Sequence, residues 1–350
     1  MPSAPLFDPP ALVAWAAAVL EHRGVDADKA RTVADVLVEG DLLGHDTHGL
    51  ALLGPNLAKL DDGGLIGRGE VDVLADRPGA LLWDGRTLPG PWLTRAAIHA
   101  AGTRARANGT AMVVIRRSGH IACLAAYLEA PARDGFLVEI HSSDPSVASV
   151  APYGGTRAVF TPNPIAVGIP TSGDPILIDV STSITTNAMS ARLKAAGQRF
   201  PGRWLLDGQG RPTDDPAVFD HDPPGTIQLL GGVESGHKGF GLTLMVEAMT
   251  GGLAGYGRPD GVTGWGATVM VRLTDPDLLC GRDAFDRQLD GLARSCAENP
   301  AIDPAEPVRL PGQRGLARKR RALAEGLRLN PLVHAAIGRL AEQTGIALPA

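Results

Sequence analysis

The chain has few of the features that mark secreted, membrane-spanning or nucleic-acid-binding proteins. Only three of its 350 residues are cysteine, and Cys123, Cys280 and Cys296 stand without CxxC spacing. They cannot all pair and do not outline a zinc site, which fits a reducing cytoplasm. The longest apolar stretches, such as residues 11–20, fall short of the roughly 20 residues that a membrane span needs. Residues 1–10 carry no positive segment followed by an apolar core, so a signal peptide is not expected. Neither sign of charge dominates: 33 Lys and Arg stand against 38 Asp and Glu, a net charge of -5. No global basic field therefore points to nucleic acid or an anionic membrane as a partner, while local groups can still hold an anionic cofactor. No repeat of solenoid length is evident.

What is present is ordinary globular composition, 44% hydrophobic and 20% charged, in a chain long enough for one or two domains. Pro9 and Pro10 open an apolar helical run closed by Gly24, and Asp26 starts a second run that ends near Gly44. After the loop 44–49 a third apolar run reaches Leu60 and breaks at Gly63 and Gly64. From about Leu81 short strands and helices alternate: a helix capped by Thr94 and reaching Asn108, and a strand at 111–115. A turn at 116–119 then leads to a helix opened by His120, with strands at 136–141, 176–181 and 266–273. Residues 201–226, rich in Pro, Gly and Asp, read as an extended surface excursion, and 240–253 as an apolar helix entered through glycines. The tail returns to helix at 313–327 and 331–343. The expected organisation is α/β (α+β): a helical domain built from residues 1–75 with 300–350, and a mixed α/β domain at 76–299.

Four polar clusters carry candidate chemistry. His45-Asp46-Thr47-His48 lies between two helices, where an imidazole can exchange protons near neutrality, or where Asp46 and Thr47 simply cap the next helix. Arg117-Ser118-Gly119-His120 reads as a strand-to-helix turn. Helix-start N–H groups would keep His120 neutral there, either beside a ligand or bonded to backbone. Asp179-Val180-Ser181-Thr182-Ser183 ends a strand with an acid able to orient a histidine and hydroxyls able to meet ribose or phosphate; a helix cap uses the same residues. Gly231 to Gly241 contains Lys238 among glycines that let backbone approach a phosphate. It is not a P-loop, because His237 interrupts Gly-Lys and no Ser or Thr follows Lys238. Nor does Gly-x-Gly-x-x-Gly follow an N-terminal strand, so a Rossmann site is not supported. The histidine spacing does not favour a metal. The basic run Arg314 to Arg321 reads as a solvated helix face, with cofactor-phosphate contact as a secondary role.

In order along the chain, these motifs resemble the malate/L-lactate dehydrogenase family, which also contains sulfolactate, ureidoglycolate and diketogulonate dehydrogenases and piperideine-carboxylate reductase. The resemblance rests on Thr47-His48-Gly49, Ser118-Gly119-His120, Ser143-Asp144-Pro145, Pro152-Tyr153-Gly154-Gly155 and Thr161-Pro162-Asn163-Pro164. It continues through Asp179 to Ser183, Lys238-Gly239-Phe240-Gly241 and Leu310-Pro311-Gly312. It implies a non-Rossmann, sulfolactate dehydrogenase-like fold, a homodimer, NAD(P)H as cofactor, and hydride transfer to C2 of a small 2-oxo acid or cyclic imino acid. By the same resemblance His48 is the proton donor, Asp179 the acid that orients it, Thr47 the hydroxyl beside it and His120 a second active-site histidine. Ser143, Val180, Ser181, Lys238, Gly239, Pro311 and Gly312 match cofactor-contacting positions, and Thr161 and Asn163 substrate-side ones.

The departures bear on substrate. Leu52 stands where the family carries the arginine that grips the substrate carboxylate, so the bidentate clamp is missing. Arg117, where the family often has asparagine, is the candidate replacement. Ala122 and Pro162 each replace a family glycine. An atypical oxo acid, a ketone or a cyclic imine is expected as substrate; the alternative is an inactive dinucleotide-binding homologue acting as a structural partner.

Overall fold

The N-terminal helices form where the sequence supplies their ends. In the computed structural model, which describes residues 5–349, Asp8 accepts from the Ala11 N–H and Pro9 and Pro10 occupy the first turn of α1 (Pro9–His22). Residues 1–4, part of the stretch read for a targeting signal, and residue 350, the end of the expected helical domain, lie outside the described residues. A short strand β1 (Leu6–Phe7) precedes α1. The helix α2 (Ala27–Leu43) follows and stops at Gly44, whose φ of 93° only glycine adopts at little strain. Next come α3 (Leu53–Asp61), β2 (Asp72–Arg77), β3 (Ala80–Asp84), α4 (Gly90–Asn108), β4 (Thr110–Ser118), α5 (Glu129–Arg133) and β5 (Leu137–Ser143). They are followed by β6 (Pro164–Ile169), β7 (Ile176–Ser181), α6 (Asn187–Ala195), β8 (Leu205–Leu206), β9 (Pro212–Thr213) and β10 (Thr226–Ile227). The chain ends with α7 (Gly232–Glu247), β11 (Ala267–Thr274), α8 (Arg282–Ala297), α9 (Gln313–Glu325), β12 (Leu327–Arg328) and α10 (Pro331–Thr344). None of the described helices is long and apolar enough to cross a membrane.

Seven strands form one mixed sheet in the order β2-β3-β4-β11-β5-β6-β7. Only β3 and β4 pair in parallel; every other neighbour is antiparallel. A Rossmann sheet is parallel throughout its binding half, so its absence from the sequence motifs has a topological counterpart. The central strands are apolar because both faces are covered: α4 packs on β4 and β11, and a π-helical turn at 248–252 packs on the other side. The apolar core runs from Leu12, Val33 and Leu37 of the N-terminal helices through Leu93 and Ala97 to Val113, Val269 and Val271. The C-terminal helix α9 packs on α2, and α10 on α3.

Four local readings change. The helix α4 starts at Gly90, where a Cβ would lie 2.2 Å from the Gly119 carbonyl oxygen. Thr94 is thus buried inside the helix, its hydroxyl donating to the Gly90 carbonyl. His120 opens no helix, because β4 continues to Ser118 and irregular chain with Ala122 at φ 61° leads into a 3₁₀ turn at Leu124–Tyr127. Residues 201–226 are not an excursion but carry a three-stranded sheet, β10-β8-β9, over a second core of Val150, Phe160, Phe200, Leu205, Val218 and Ile227. Finally, α7 begins at Gly232, eight residues before Phe240, so Lys238 sits within the helix rather than at its entrance.

Candidate active site

The loop leaving α2 is held from beneath by a buried carboxylate. Asp41, 2% exposed, accepts from the Leu50 N–H at 2.7 Å and fills the space a Cβ on Gly49 would need. Burial pushes its carboxyl up to about 7, with Asp46 adding to the rise and the Leu50 N–H opposing it. Above it Thr47 Oγ1 and His48 Nδ1 stand 2.9 Å apart, leaving His48 Nε2 free.

His120 faces His48 with ring centroids 6.1 Å apart and planes within 24°. Its Nδ1 accepts from the Ala122 N–H at 3.0 Å, so the neutral ring carries its proton on Nε2. Trp265 closes its other side at 5.8 Å. Removal from water lowers both imidazoles to about 4; His48 is lowered further by His120 and His45, and raised in part by Asp179. The sequence assigned His120's neutrality to a helix terminus, whereas burial is the cause.

Asp179, on β7, is drawn in by the Ala125 N–H, which donates to its Oδ2 at 2.9 Å. Burial raises its carboxyl, while His45, the Ala125 N–H and His48 act against the rise. It therefore stands within electrostatic reach of His48, but its hydrogen bonds come from the Ala125 N–H and the Cys123 thiol and not from an imidazole.

Two chambers meet at Asp179. The first, about 460 Å³, is lined by Thr47, His48, His120, Ser143, Thr161, Asp179 and Ser181, with Leu52, Ile121, Leu124 and Met189 as apolar surface. The second, about 530 Å³, shares His45 and Asp179 and is lined by Val180, Pro311, Gly312, Arg314 and Arg318. Lysine and arginine are absent from the lining of the first chamber.

Several expected contacts fall elsewhere. Arg117, at φ 53°, ion-pairs with Asp84 at 2.7 Å, beside Arg116 on the same carboxylate, and does not line the first chamber. Asn163 lies fully buried behind the wall, accepting from Thr161 Oγ1 and donating to Glu247. Glu247 also accepts from Ser143 Oγ and pairs with Arg258, which in turn bonds the carbonyls of Asp144 and Val147. Lys238 is exposed on α7 and lines neither chamber; Gly239 packs its helix against Leu230 and Thr182.

The sequence reading missed α6, whose first residues Asn187, Ala188 and Met189 line the first chamber. Thr186, the N-cap that accepts from Met189 N, was the available signal. Arg192 of α6 and Asn330 both bond Asp46, fixing that wall to the histidine loop.

A model of a malate/L-lactate dehydrogenase family matches residues 7–338. Among curated relatives, an L-lactate dehydrogenase of Cupriavidus necator is 29% identical over 338 residues, 95% of each chain. A dehydrogenase from Sinorhizobium meliloti of solved structure is 32% identical and superposes with a TM-score of 0.84 over 97% of this chain and 98% of its own. The sulfolactate dehydrogenase of Methanocaldococcus jannaschii, 21% identical, shares the fold with a TM-score of 0.85 over 98% of both chains.

Proposed function

The chain belongs to the malate/L-lactate dehydrogenase family, and we propose that it moves hydride between NAD(P)H and the carbon of a small 2-oxo acid, ketone or cyclic imine. The observation that carries this reading is the convergence of two neutral, stacked imidazoles, His48 and His120, with Asp179 on one chamber. The cofactor supplies or accepts the hydride at nicotinamide C4. His48 Nε2 handles the matching proton: it takes the hydroxyl proton in oxidation and returns one to the developing oxyanion or amide nitrogen in reduction. A pKa near 4 leaves His48 unprotonated at neutral pH, so the free protein is set up as a base. Negative charge growing on substrate draws the proton back. His120, donating from Nε2, stabilises that charge, and Asp179 steadies the cation that His48 becomes.

The wall from Ser143 and Ser181 through Val180 to Pro311 and Gly312 would hold the cofactor's ribose and phosphates, and Arg314 and Arg318 would supply charge to offset the phosphates. The helical unit (1–75 with 300–350) then supplies His48, Pro311, Gly312 and the arginines, and the mixed unit (76–299) His120, Ser143, Asp179, Val180 and Ser181. A homodimer is supported by α7, which buries only Gly236, Gly239, Thr243 and Val246 and exposes Val233, Leu242, Leu244 and Met245. Three unpaired cysteines fit a cytoplasmic location.

Leu52 and the lack of a lining cation favour substrates whose reacting carbon bears no free carboxylate. The test is oxidation of NADH and NADPH with a panel of 2-oxo acids, cyclic imines and uncharged ketones. Turnover is expected with uncharged members ahead of simple oxo acids, and Leu52→Arg should shift the ratio toward oxo acids by about tenfold. Cofactor binding without turnover of any member would select the second reading that Leu52 favours, an inactive dinucleotide-binding homologue.

A further inference from the structure

Cys123 has no role in the redox reading, yet it lies at the junction of the two chambers. It comes from the irregular chain after β4, His45 from the loop after α2, and Asp179 from β7. Their ligand atoms, an imidazole nitrogen, a sulfur and a carboxylate oxygen, all lie within 4.8 Å of one another. We propose that His45, Cys123 and Asp179 form a site for a borderline-soft divalent cation of the zinc and cobalt class, whose occupancy shuts the enzyme off.

The donor set selects that class: thiolate and imidazole bind zinc and cobalt, whereas magnesium and calcium take oxygen ligands. Metal bonds of about 2.0–2.3 Å place tetrahedral ligands roughly 3.4–3.8 Å apart. The three groups therefore need to close by about an ångström. Cys123 Sγ already stands 4.0 Å from Asp179 Oδ2. The His45 ring makes no hydrogen bond among the described residues and lies on a partly exposed loop, so it is free to turn in. The Ala125 N–H fixes Asp179 through Oδ2 and leaves Oδ1 for the metal, the outer-sphere support that ligating carboxylates use. A fourth position opens to the chamber and takes water.

Binding breaks the Cys123 S–H bond and forms a sulfur–metal bond, the proton passing to solvent; nothing is oxidised or reduced. Burial holds this thiol far above the ordinary range, so it stays inert until a cation arrives. Coordination removes Asp179 from the electrostatics of His48. The metal site does not depend on the proposed hydride transfer, but its inhibitory consequence rests on that reading.

The experiment titrates the anaerobic full-length protein with Co²⁺ and records the thiolate-to-cobalt charge-transfer band and the tetrahedral d–d bands. One equivalent should bind, Zn²⁺ should displace it, and Cys123→Ala should abolish the charge-transfer band. His45→Ala, altered on a partly exposed loop, should weaken binding at least about tenfold, while a Cys280→Ser, Cys296→Ser double variant should leave the spectrum intact. Absence of a band in the wild type, or its persistence in Cys123→Ala, overturns the site. Turnover should fall in proportion to the band, and undiminished turnover at full occupancy overturns the inhibitory role. Because the spectrum needs no substrate, failure of the metal site is distinguishable from failure of the redox reading.

Discussion

The chambers on either side of Asp179 are adjacent, yet they are built from opposite chemistry. The first holds His45, His48 and His120 against apolar Leu52, Ile121, Leu124 and Met189, with no lysine or arginine in its lining. The second shares His45 and carries Arg314 and Arg318, one helical turn apart on α9. Two neighbouring cations of that helix are already engaged: Lys319 bridges Glu39 and Glu129, and Arg320 pairs with Asp174. Arg314 and Arg318 have no ion-pair partner among the described residues, and the Arg318 guanidinium lies 3.2 Å from where a Cβ on Gly44 would stand. Under the proposed function, the first chamber would handle proton transfer and the second would bind the anionic part of the cofactor.

The largest expected effect strikes the first chamber alone. His48→Ala should cost at least about a hundredfold in turnover while the dissociation constant for NAD(P)H changes little; fluorescence titration and steady-state rates together decide it. Intact turnover would break the division of labour.

Acid should reach the first chamber next. Histidines lowered from 6.5 to about 4 in the fold are protonated sooner in the unfolded chain, so stability falls as pH drops from about 6.5 to about 4 and levels off below. Each contributes on the order of 2 kcal/mol to that loss, somewhat less than the full shift because both rings are partly exposed. Denaturant melts of His120→Gln across that window should show a shallower acid limb, and an unchanged limb would mean the ring is not held neutral.

The second chamber should respond in affinity. Arg314→Ala with Arg318→Ala is expected to weaken NAD(P)H binding by about tenfold and to leave the rate at saturation near wild type. Equal binding in the double variant would place the phosphates elsewhere.

The smallest effects should come from cations outside both chambers. Arg117→Ala should change KM by less than about twofold, since its guanidinium belongs to Asp84, and Lys238→Ala should do the same for cofactor affinity in the single chain's chambers. A large rise in KM for Arg117→Ala would restore it as the carboxylate clamp.

Much of this candidate site was legible in the sequence because its residues sit in short motifs next to strong punctuation. Thr47-His48-Gly49 follows a helix that must end at Gly44, and Asp179 follows the apolar start of β7, two residues before its end. Pro311 and Gly312 mark the start of α9, where Gly312 at φ 89° serves as N-cap. The expected contacts that the single chain places elsewhere share one origin. Arg117, Asn163 and Lys238 are polar residues whose partners lie far away along the chain: Asp84, Glu247 and, for the helix bearing Lys238, Thr182. Local pattern shows that a polar group exists, but not whether another segment has already engaged it. The same holds for Asp41, which reads as one more helix residue and proves to support the loop from below.

By itself the sequence determined the helical ends, the mixed α/β middle and the family, and it singled out His48, His120 and Asp179 as candidates, because helix periods, caps and short motifs are local. Only the tertiary structure decided that burial is what lowers His48 and His120, that Arg314 and Arg318 stand across Asp179, and that Cys123 meets His45. Desolvation and ion pairing depend on what packs against a group, and those neighbours come from segments as distant as β7 and α9.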